Sequence, residues 1–253
     1  MPEPLAALAG IPRLAGSRVL RQVSDGVSSA SWLCDTPEGL CVLRLDKPLA
    51  ARLGLDRQAE WAILQAAHAA DLGPEPVYGN ASRGLLLTRL LPGAAWTATE
   101  LVEPAALEQL GQLLRRAHAQ PGVGAPFEPQ GIAERYARVA CGPGTSSQVE
   151  QVGRWSGLLY GGETCLCHHD PHAGNLVGRG PPRLVDWEYA ASGQGLFDLA
   201  VVCRYHALAK SQRLVLLNAW AGHVDGELLD RLEAFCALYD LLALLWEQAV
   251  ASG

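Results

Sequence analysis

Apolar and polar positions change their rhythm partway along this chain. Residues 19–23, 30–34 and 40–45 are short runs in which apolar side chains alternate with polar ones or are β-branched, the period-two pattern of strands. Ser24-Asp25-Gly26 and Thr36-Pro37-Glu38-Gly39 separate these runs as turn sequences, so an antiparallel meander is expected. From residue 55 to 70, Leu55, Ala59, Ala62, Ile63, Ala66 and Ala67 recur at helical spacing, and Leu72-Gly73-Pro74 stops that helix. Two more strands are expected around Val77 and over residues 85–90, ending at Pro92-Gly93. The pattern thus predicts a small β-rich lobe, residues 1–91, with a hinge at that dipeptide.

Residues 92–253 read as mainly helical. Leu107, Leu110, Leu113 and Leu114 share one face of a helix over residues 104–118, and residues 121–129 form a Pro/Gly-rich connector. Further helices are expected over 132–140 and 149–160. A compact block over 164–187 has two short apolar runs around a polar loop, and long helices return from residue 196 to the C-terminus. The fold class is α+β, with a small β-rich N-lobe and a larger, mainly helical C-lobe.

Composition narrows the function classes. Apolar residues make up 49% of the 253, enough for a sizeable core. A net charge of −6 without any Lys/Arg run argues against a nucleic-acid partner. Only Lys47 and Lys210 are lysines, so chemistry that demands lysine has two candidates. The N-terminus lacks the basic and apolar regions of a signal peptide. No run reaches the roughly 18 uninterrupted apolar residues of a membrane span; residues 234–250 come nearest and are broken by Asp240, Glu247 and Gln248. Seven scattered cysteines fit a reduced interior, and a cytoplasmic protein without a membrane partner is expected.

The reactive side chains concentrate in Cys165-Leu-Cys-His-His-Asp-Pro-His-Ala-Gly-Asn175, followed eleven residues later by Asp186-Trp187-Glu188. The spacing His168-x-Asp170-x4-Asn175 is that of a kinase catalytic loop, in which the Asp accepts the proton of the attacking hydroxyl and the Asn holds magnesium. A second carboxylate, Asp186, would follow its apolar run onto the same ion, and hard oxygen ligands suit Mg²⁺. Two other readings compete. Cys165, Cys167, His168, His169 and His172 are zinc-type ligands, though no second close Cys/His pair of that kind lies elsewhere. A wholly structural loop, its carboxylates satisfied by backbone donors, is the other. Cys165-Leu166-Cys167 itself reads as a buried strand, with cysteine as a small hydrophobe.

With His168-His-Asp170-Pro-His-Ala-Gly-Asn175, Leu-Val-Asp186-Trp-Glu-Tyr and Phe197-Asp198-Leu-Ala, the sequence resembles the aminoglycoside phosphotransferase and choline kinase superfamily, nearest to its choline, ethanolamine and thiamine kinase branch. The resemblance spans nearly the whole chain, while its specific motifs occupy little of it. It implies a protein-kinase-like bilobal fold and ATP-dependent transfer of a phosphoryl group to a hydroxyl. It also implies Asp170 as catalytic base, His168 as an orienting loop residue, and Asn175 and Asp186 as Mg²⁺ ligands.

The small lobe supplies the nucleotide side of this expectation. The turn carrying Ser24, Gly26 and Ser28 stands where the family covers the nucleotide, although it has one glycine and lacks the Asn often found after it. Protein kinases place a Lys on the third strand, paired to a helix Glu. Here Arg44 takes that position, as is common in choline-kinase-like members, and its planar fork suits phosphate. Glu60 in the following helix is its natural partner, Lys47 is a rival phosphate ligand, and Thr88 and Leu90 lie in the segment that by analogy contacts adenine. His118 reads as structural.

The acceptor is expected to be a small hydroxylated cation. Six of the chain's thirteen tryptophan and tyrosine residues fall between Trp187 and Trp246, a set suited to holding a cation on ring faces beside carboxylates. Tyr239 and Trp246 are two helical turns apart and would share a face. Family motifs put Glu188 and Asp198 on the substrate side, and Trp187, Tyr205 and Trp246 complete the expected set. Aminoglycosides or sugars are the alternative acceptors, and a catalytically silent pseudokinase acting as a binding module is the alternative of another class.

Overall fold

In the computed structural model, residues 3–142, 144–178 and 180–252 are described. The N-terminal part is a five-stranded antiparallel sheet: β1 (Arg18–Asp25), β2 (Ser29–Thr36), β3 (Gly39–Asp46), β4 (Pro76–Asn80) and β5 (Leu85–Arg89), in the spatial order β1-β2-β3-β5-β4. The alternation along β3 decides its two faces. Cys41, Leu43 and Leu45 are buried on one side against Ala7, Leu8, Ile11 and Leu14 of the N-terminal segment, whose α1 spans Pro4–Ala9. Arg44, between Leu43 and Leu45, therefore points to the opposite side, toward the cleft.

Two helices follow β3. The short α2 (Pro48–Leu53) was not legible from periodicity and ends at Gly54, whose φ of 74° takes the left-handed conformation glycine tolerates. In α3 (Arg57–Ala69), the Asp56 carboxylate caps the start by accepting from the N–H groups of Gln58 and Ala59, both at 3.0 Å. That cap sets the rotation of α3 so that Ile63, Leu64 and Ala67 are buried together with Glu60.

Beyond β5 the chain becomes helical, with α4 (Ala98–Leu101), α5 (Pro104–His118), α6 (Pro129–Ala140) and α7 (Thr145–Leu159). In α5, Leu107, Leu110, Leu113, Leu114 and Ala117 form one buried stripe, started by Pro104 and ended by a basic last turn. Four short strands then frame two loops. β6 (Cys165–Cys167) pairs with β9 (Ala191–Gly193), and β7 (Leu176–Val177) pairs with β8 (Arg183–Leu184), all antiparallel. Beneath them α8 (Gly195–Tyr205) is buried from Gly195 to Cys203, the innermost helix of the lobe. α9 (Lys210–Ala221) packs on α5, while α10 (Gly226–Ala251) packs on α6, α7 and α8. α10 is long and apolar enough to cross a membrane by length and composition; here its buried face, including Leu232, Phe235, Leu238, Leu242 and Leu245, belongs to the main core.

Candidate active site

The β6–β7 connection and the β8–β9 connection face the cleft, and each holds one non-glycine residue in the left-handed region: His169 at φ 63° and Asp186 at φ 62°. Such backbone persists only where the surroundings enforce it. For His169 the enforcement is visible. The Asp198 carboxylate, at the start of α8, accepts from the N–H of His169 at 2.7 Å and of His168 at 2.9 Å. Its Oδ2 also lies 3.0 Å from His118 Nε2, and Trp220 Nε1–H donates to His118 Nδ1 at 2.8 Å. The Trp220 donor fixes the His118 proton on Nε2, where it donates to Asp198. A Cβ on Gly195 would lie 2.5 Å from His118 Nδ1, so this approach requires glycine. Burial alone would raise the Asp198 pKa; the His118 hydrogen bond and the backbone donors outweigh it and hold the carboxyl at about 2.

His168 is fully buried and joins the two loops. Its Nε2–H donates to Val185 O at 3.0 Å, and its Nδ1 accepts from the N–H of Asp170 at 3.3 Å. Both bonds require the neutral ring, and burial pushes its pKa down to about 4. Asn175 closes the loop, with Nδ2–H donating to Asp170 O at 2.9 Å and Asp170 Oδ2 at 3.1 Å. Val185 N–H donates back to Asn175 O at 2.9 Å. Burial, then the negative charges of Asp186 and Glu188, hold the Asp170 carboxyl well above the ordinary carboxylate range. His172 Nε2 stands 3.5 Å from Asp170 Oδ2, with its ring stacked on Tyr205 at 4.7 Å.

On the sheet side Arg44 and Glu60 form a two-pronged ion pair, Nη1–Oε1 and Nη2–Oε2 both at 2.6 Å. Arg44 Nη1 also lies 3.2 Å from Asp186 Oδ1, and the pair comes within 3.8 Å of Glu188. Burial works against both charges of the pair, yet Arg44 keeps a raised pKa through Glu60, Asp186 and Glu188, and Glu60 a lowered one through Arg44 and Arg57. Ser28 Oγ–H donates to Glu188 Oε1 at 2.8 Å, so the β1–β2 turn touches the C-terminal part here. Lys47 Nζ binds Asp25 Oδ1 at 2.5 Å and Gly26 O at 2.6 Å, which ties down the same turn. Thr88 pairs with Val42 within the sheet, and Leu90 N–H already donates to Leu40 O at 3.0 Å, so that group is occupied.

A pocket of about 580 Å³ opens beside Asp170. Phe127, Tyr136, Tyr189, Tyr205, Tyr239 and Trp246 line it with rings, and Asp56, Glu128 and Glu188 add carboxylates against the single cation Arg135. Trp246 Nε1–H donates to the Tyr189 hydroxyl at 3.0 Å, and His169 stacks on Phe127 with centroids 4.0 Å apart. Tyr239 and Trp246 both reach it, as their two-turn spacing requires.

Two expectations about the acceptor side are corrected. Asp198 is 0% exposed and holds the catalytic loop from beneath, so it cannot line a pocket. Trp187 is buried, its Nε1–H donates to Leu184 O at 3.0 Å and its ring meets His168 edge-on, because the left-handed turn at Asp186 sends the next side chain inward. Glu188 lines the pocket but leans toward the guanidiniums. The zinc alternative also fails among the described residues. His168 has both ring nitrogens occupied, and the one cluster of metal-type ligands, His118, Cys167 and Asp198, meets a protonated Nε2 where a metal would need a lone pair. Sequence reasoning missed Arg57 and Tyr136, and took His172 only as a zinc-type ligand. Only Arg57 left a signal, its i,i+3 spacing to Glu60.

The oxygen donors of Asp170, Asn175 and Asp186 are chemically the hard set that Mg²⁺ prefers, and Arg44 Nε is a buried donor without a partner among the described residues. Carboxylates, an amide oxygen and a buried guanidinium thus stand around one cleft, the kinds of group that phosphoryl transfer uses. Solved structures share the fold. A choline/ethanolamine kinase family protein from Mesorhizobium loti is 24% identical, with a TM-score of 0.77 over 95% of this chain and 83% of that one. LicA in complex with AMP is 15% identical, with a TM-score of 0.80 over 98% and 89%. The macrolide 2′-phosphotransferase MphH from Brachybacterium faecium is 19% identical, with a TM-score of 0.61 over 98% and 96%. Among curated proteins none matches the chain. The family model of the phosphotransferase enzyme family matches residues 19–235, most of the chain, and the protein belongs to that family.

Proposed function

We propose that this phosphotransferase moves the γ-phosphoryl group of ATP, held with Mg²⁺ between sheet and helices, to the hydroxyl of a small cationic acceptor of the choline, ethanolamine or thiamine type. The observation that carries the acceptor class is the pocket beside Asp170, walled by seven phenylalanine, tyrosine and tryptophan rings and by more carboxylates than cations. Asp170 would orient the acceptor hydroxyl and take its proton, with His168 fixing the loop. Asn175 and Asp186 would hold Mg²⁺, whose contribution is to neutralise the phosphates. Arg44, supported by Glu60, would grip the nucleotide phosphates under the turn of Ser24, Gly26 and Ser28, with adenine beside the Thr88–Leu90 segment. Glu188, Tyr205 and Trp246 would face the acceptor. The AMP held by the LicA structure supports nucleotide use by this fold.

A second reading has one observation in its favour. A volume of about 580 Å³ is of the size that encloses a drug-like molecule, so a bulkier amino-sugar antibiotic also fits. An ATP-consumption screen over choline, ethanolamine, thiamine, amino sugars, aminoglycosides and macrolides decides between them. Turnover with a small cation, lost in Asp170→Ala, is the expected result. Turnover only with antibiotics would replace the acceptor assignment, and nucleotide binding without any phosphorylated product would mark a silent binding module.

A further inference from the structure

Behind Arg44 stands a second buried guanidinium that the proposed chemistry does not use. Arg57 is the first residue of α3, directly after the Asp56 cap, and its side chain is 8% exposed. It touches three carboxylates from three parts of the fold: Asp46 at the end of β3, with Nε and Nη2 both at 2.8 Å; Glu60 on α3, with Nη1 at 2.8 Å; and Glu188 across the cleft, with Nη2 at 3.1 Å. Arg44 shares two of these acids. Glu60 Oε2 is bound by both guanidiniums, while Glu188 Oε2 lies 3.1 Å from Arg57 but 3.8 Å from Arg44. The other Glu188 oxygen is held by Ser28 at 2.8 Å.

Removing Arg57 in thought shows its task. Glu188 would keep one neutral partner, Ser28, and Arg44 would be the remaining cation within ion-pair reach of a buried carboxylate. A buried carboxylate is costly to leave without a cation, and Arg44 is the one left nearest to it, at 3.8 Å. Arg44 would then be enclosed by Glu60, Asp186 and Glu188, with less of its fork open to an incoming phosphate. With Arg57 in place, Glu188 Oε2 stays 3.8 Å from Arg44 Nη1.

We propose that Arg57 is a positioning residue that draws Glu188 away from Arg44 and so leaves the guanidinium N–H groups of Arg44 that Glu60 does not hold available to the nucleotide phosphates. The proposal rests on the reading of Arg44 as the phosphate-binding cation, and the two are separable because nucleotide binding needs no acceptor.

The test is calorimetric titration of the purified full-length chain with MgATP, with the thermal midpoint recorded for every variant. Arg57→Met should weaken MgATP by about tenfold or more, and Arg57→Met/Glu188→Gln should recover to within about threefold of wild type, because the competing carboxylate is gone. Arg57→Lys, one point charge in place of a fork, should fall between. A residue that merely held the fold would show no such rescue. Unchanged affinity in Arg57→Met, or a double variant as weak as the single one, overturns the proposal. If Arg57→Met does not fold, Arg57→Lys and Arg57→Lys/Glu188→Gln run the same cycle with the same outcomes. Arg44→Met separates the two failures: it should lose most MgATP affinity, and if it does not, the reading of Arg44 falls rather than the relation between Arg57 and Glu188.

Discussion

The two walls of the cleft are built from different physics. Under the catalytic loop, His168 bonds Val185 O through a neutral ring, and the one ionised group, Asp198, is surrounded by backbone N–H donors and His118. On the sheet side, Arg44 and Arg57 meet Asp46, Glu60, Asp186 and Glu188 in a lattice of full charges. Directional bonds to backbone fix a position and leave little choice of partner. A lattice of forks and carboxylates has several near-equivalent pairings and can exchange one for a phosphate or a metal. The difference separates a part held in one arrangement from a part able to re-pair, as the proposed nucleotide site would have to.

The largest break should come from the rigid wall's own reactive group. Asp170→Ala should lower kcat by about 10³-fold or more while the thermal midpoint stays close to wild type, since among the described residues the side chain accepts one hydrogen bond, from Asn175, with His172 Nε2 farther off at 3.5 Å. A comparable loss of activity through a different quantity is expected for Asp198→Ala. It leaves two backbone donors and His118 without their acceptor, costing roughly 3–5 kcal/mol in denaturant unfolding. Loss of activity in Asp198→Ala with unchanged stability would place that carboxylate in the chemistry after all.

Acid should attack the rigid wall through its histidines. His168 and His169 are both buried with pKa near 4 against an ordinary 6.5, in each case chiefly from burial. Their folded pKa is depressed, so the unfolded chain binds more protons between those limits and stability falls as pH drops from 6.5 toward 4, at about 1.4 kcal/mol per pH unit for each ring. Asp198 adds its loss lower down, as pH falls from 3.8 through about 2. Unfolding midpoints measured from pH 7 to 4 check the slope, and His168→Gln should flatten it. Asp170 and Glu188, whose carboxyls burial raises, the latter to about 7, add the opposite slope over the same window, so the test is the difference between wild type and His168→Gln: identical profiles would mean that the ring is not held neutral.

Legibility in the sequence followed the same division. The catalytic loop and Asp186 lie within one short block, and their spacing could be read because one loop must bring base and metal ligand together. Arg44 and Glu60 were legible as a strand and helix pair through their likeness to the third-strand Lys and helix Glu of protein kinases, and the alternation along β3 turns Arg44 toward Glu60. Arg57 was not noticed because its partners Asp46 and Glu188 are distant in sequence. Asp198 and Trp187 were placed on the acceptor side by motif adjacency alone; which way a residue faces after a left-handed turn is settled by backbone geometry that residue type does not encode. The short helices α2 and α4 escaped for lack of length, six and four residues being less than the periodic signal needs.

The smallest expected effect tests whether the aromatic pocket belongs to neither wall's chemistry but to the acceptor. Trp246→Phe keeps a ring in the pocket and removes one hydrogen bond, Nε1–H to the Tyr189 hydroxyl. A single such bond is worth about 1 kcal/mol net, and phenyl attracts a cation less strongly than indole. KM for a cationic acceptor should therefore rise several-fold, with kcat less affected and KM for MgATP unchanged, because Arg44 and Asp186 do not line that pocket. The same substitution should leave an uncharged alcohol acceptor nearly untouched, since a neutral group gains nothing from the indole face. Equal losses with charged and uncharged acceptors would assign Trp246 to packing with Tyr189, whereas a shift in KM for MgATP would mean that the acceptor pocket and the charged lattice respond as one unit through Glu188, the residue that borders both.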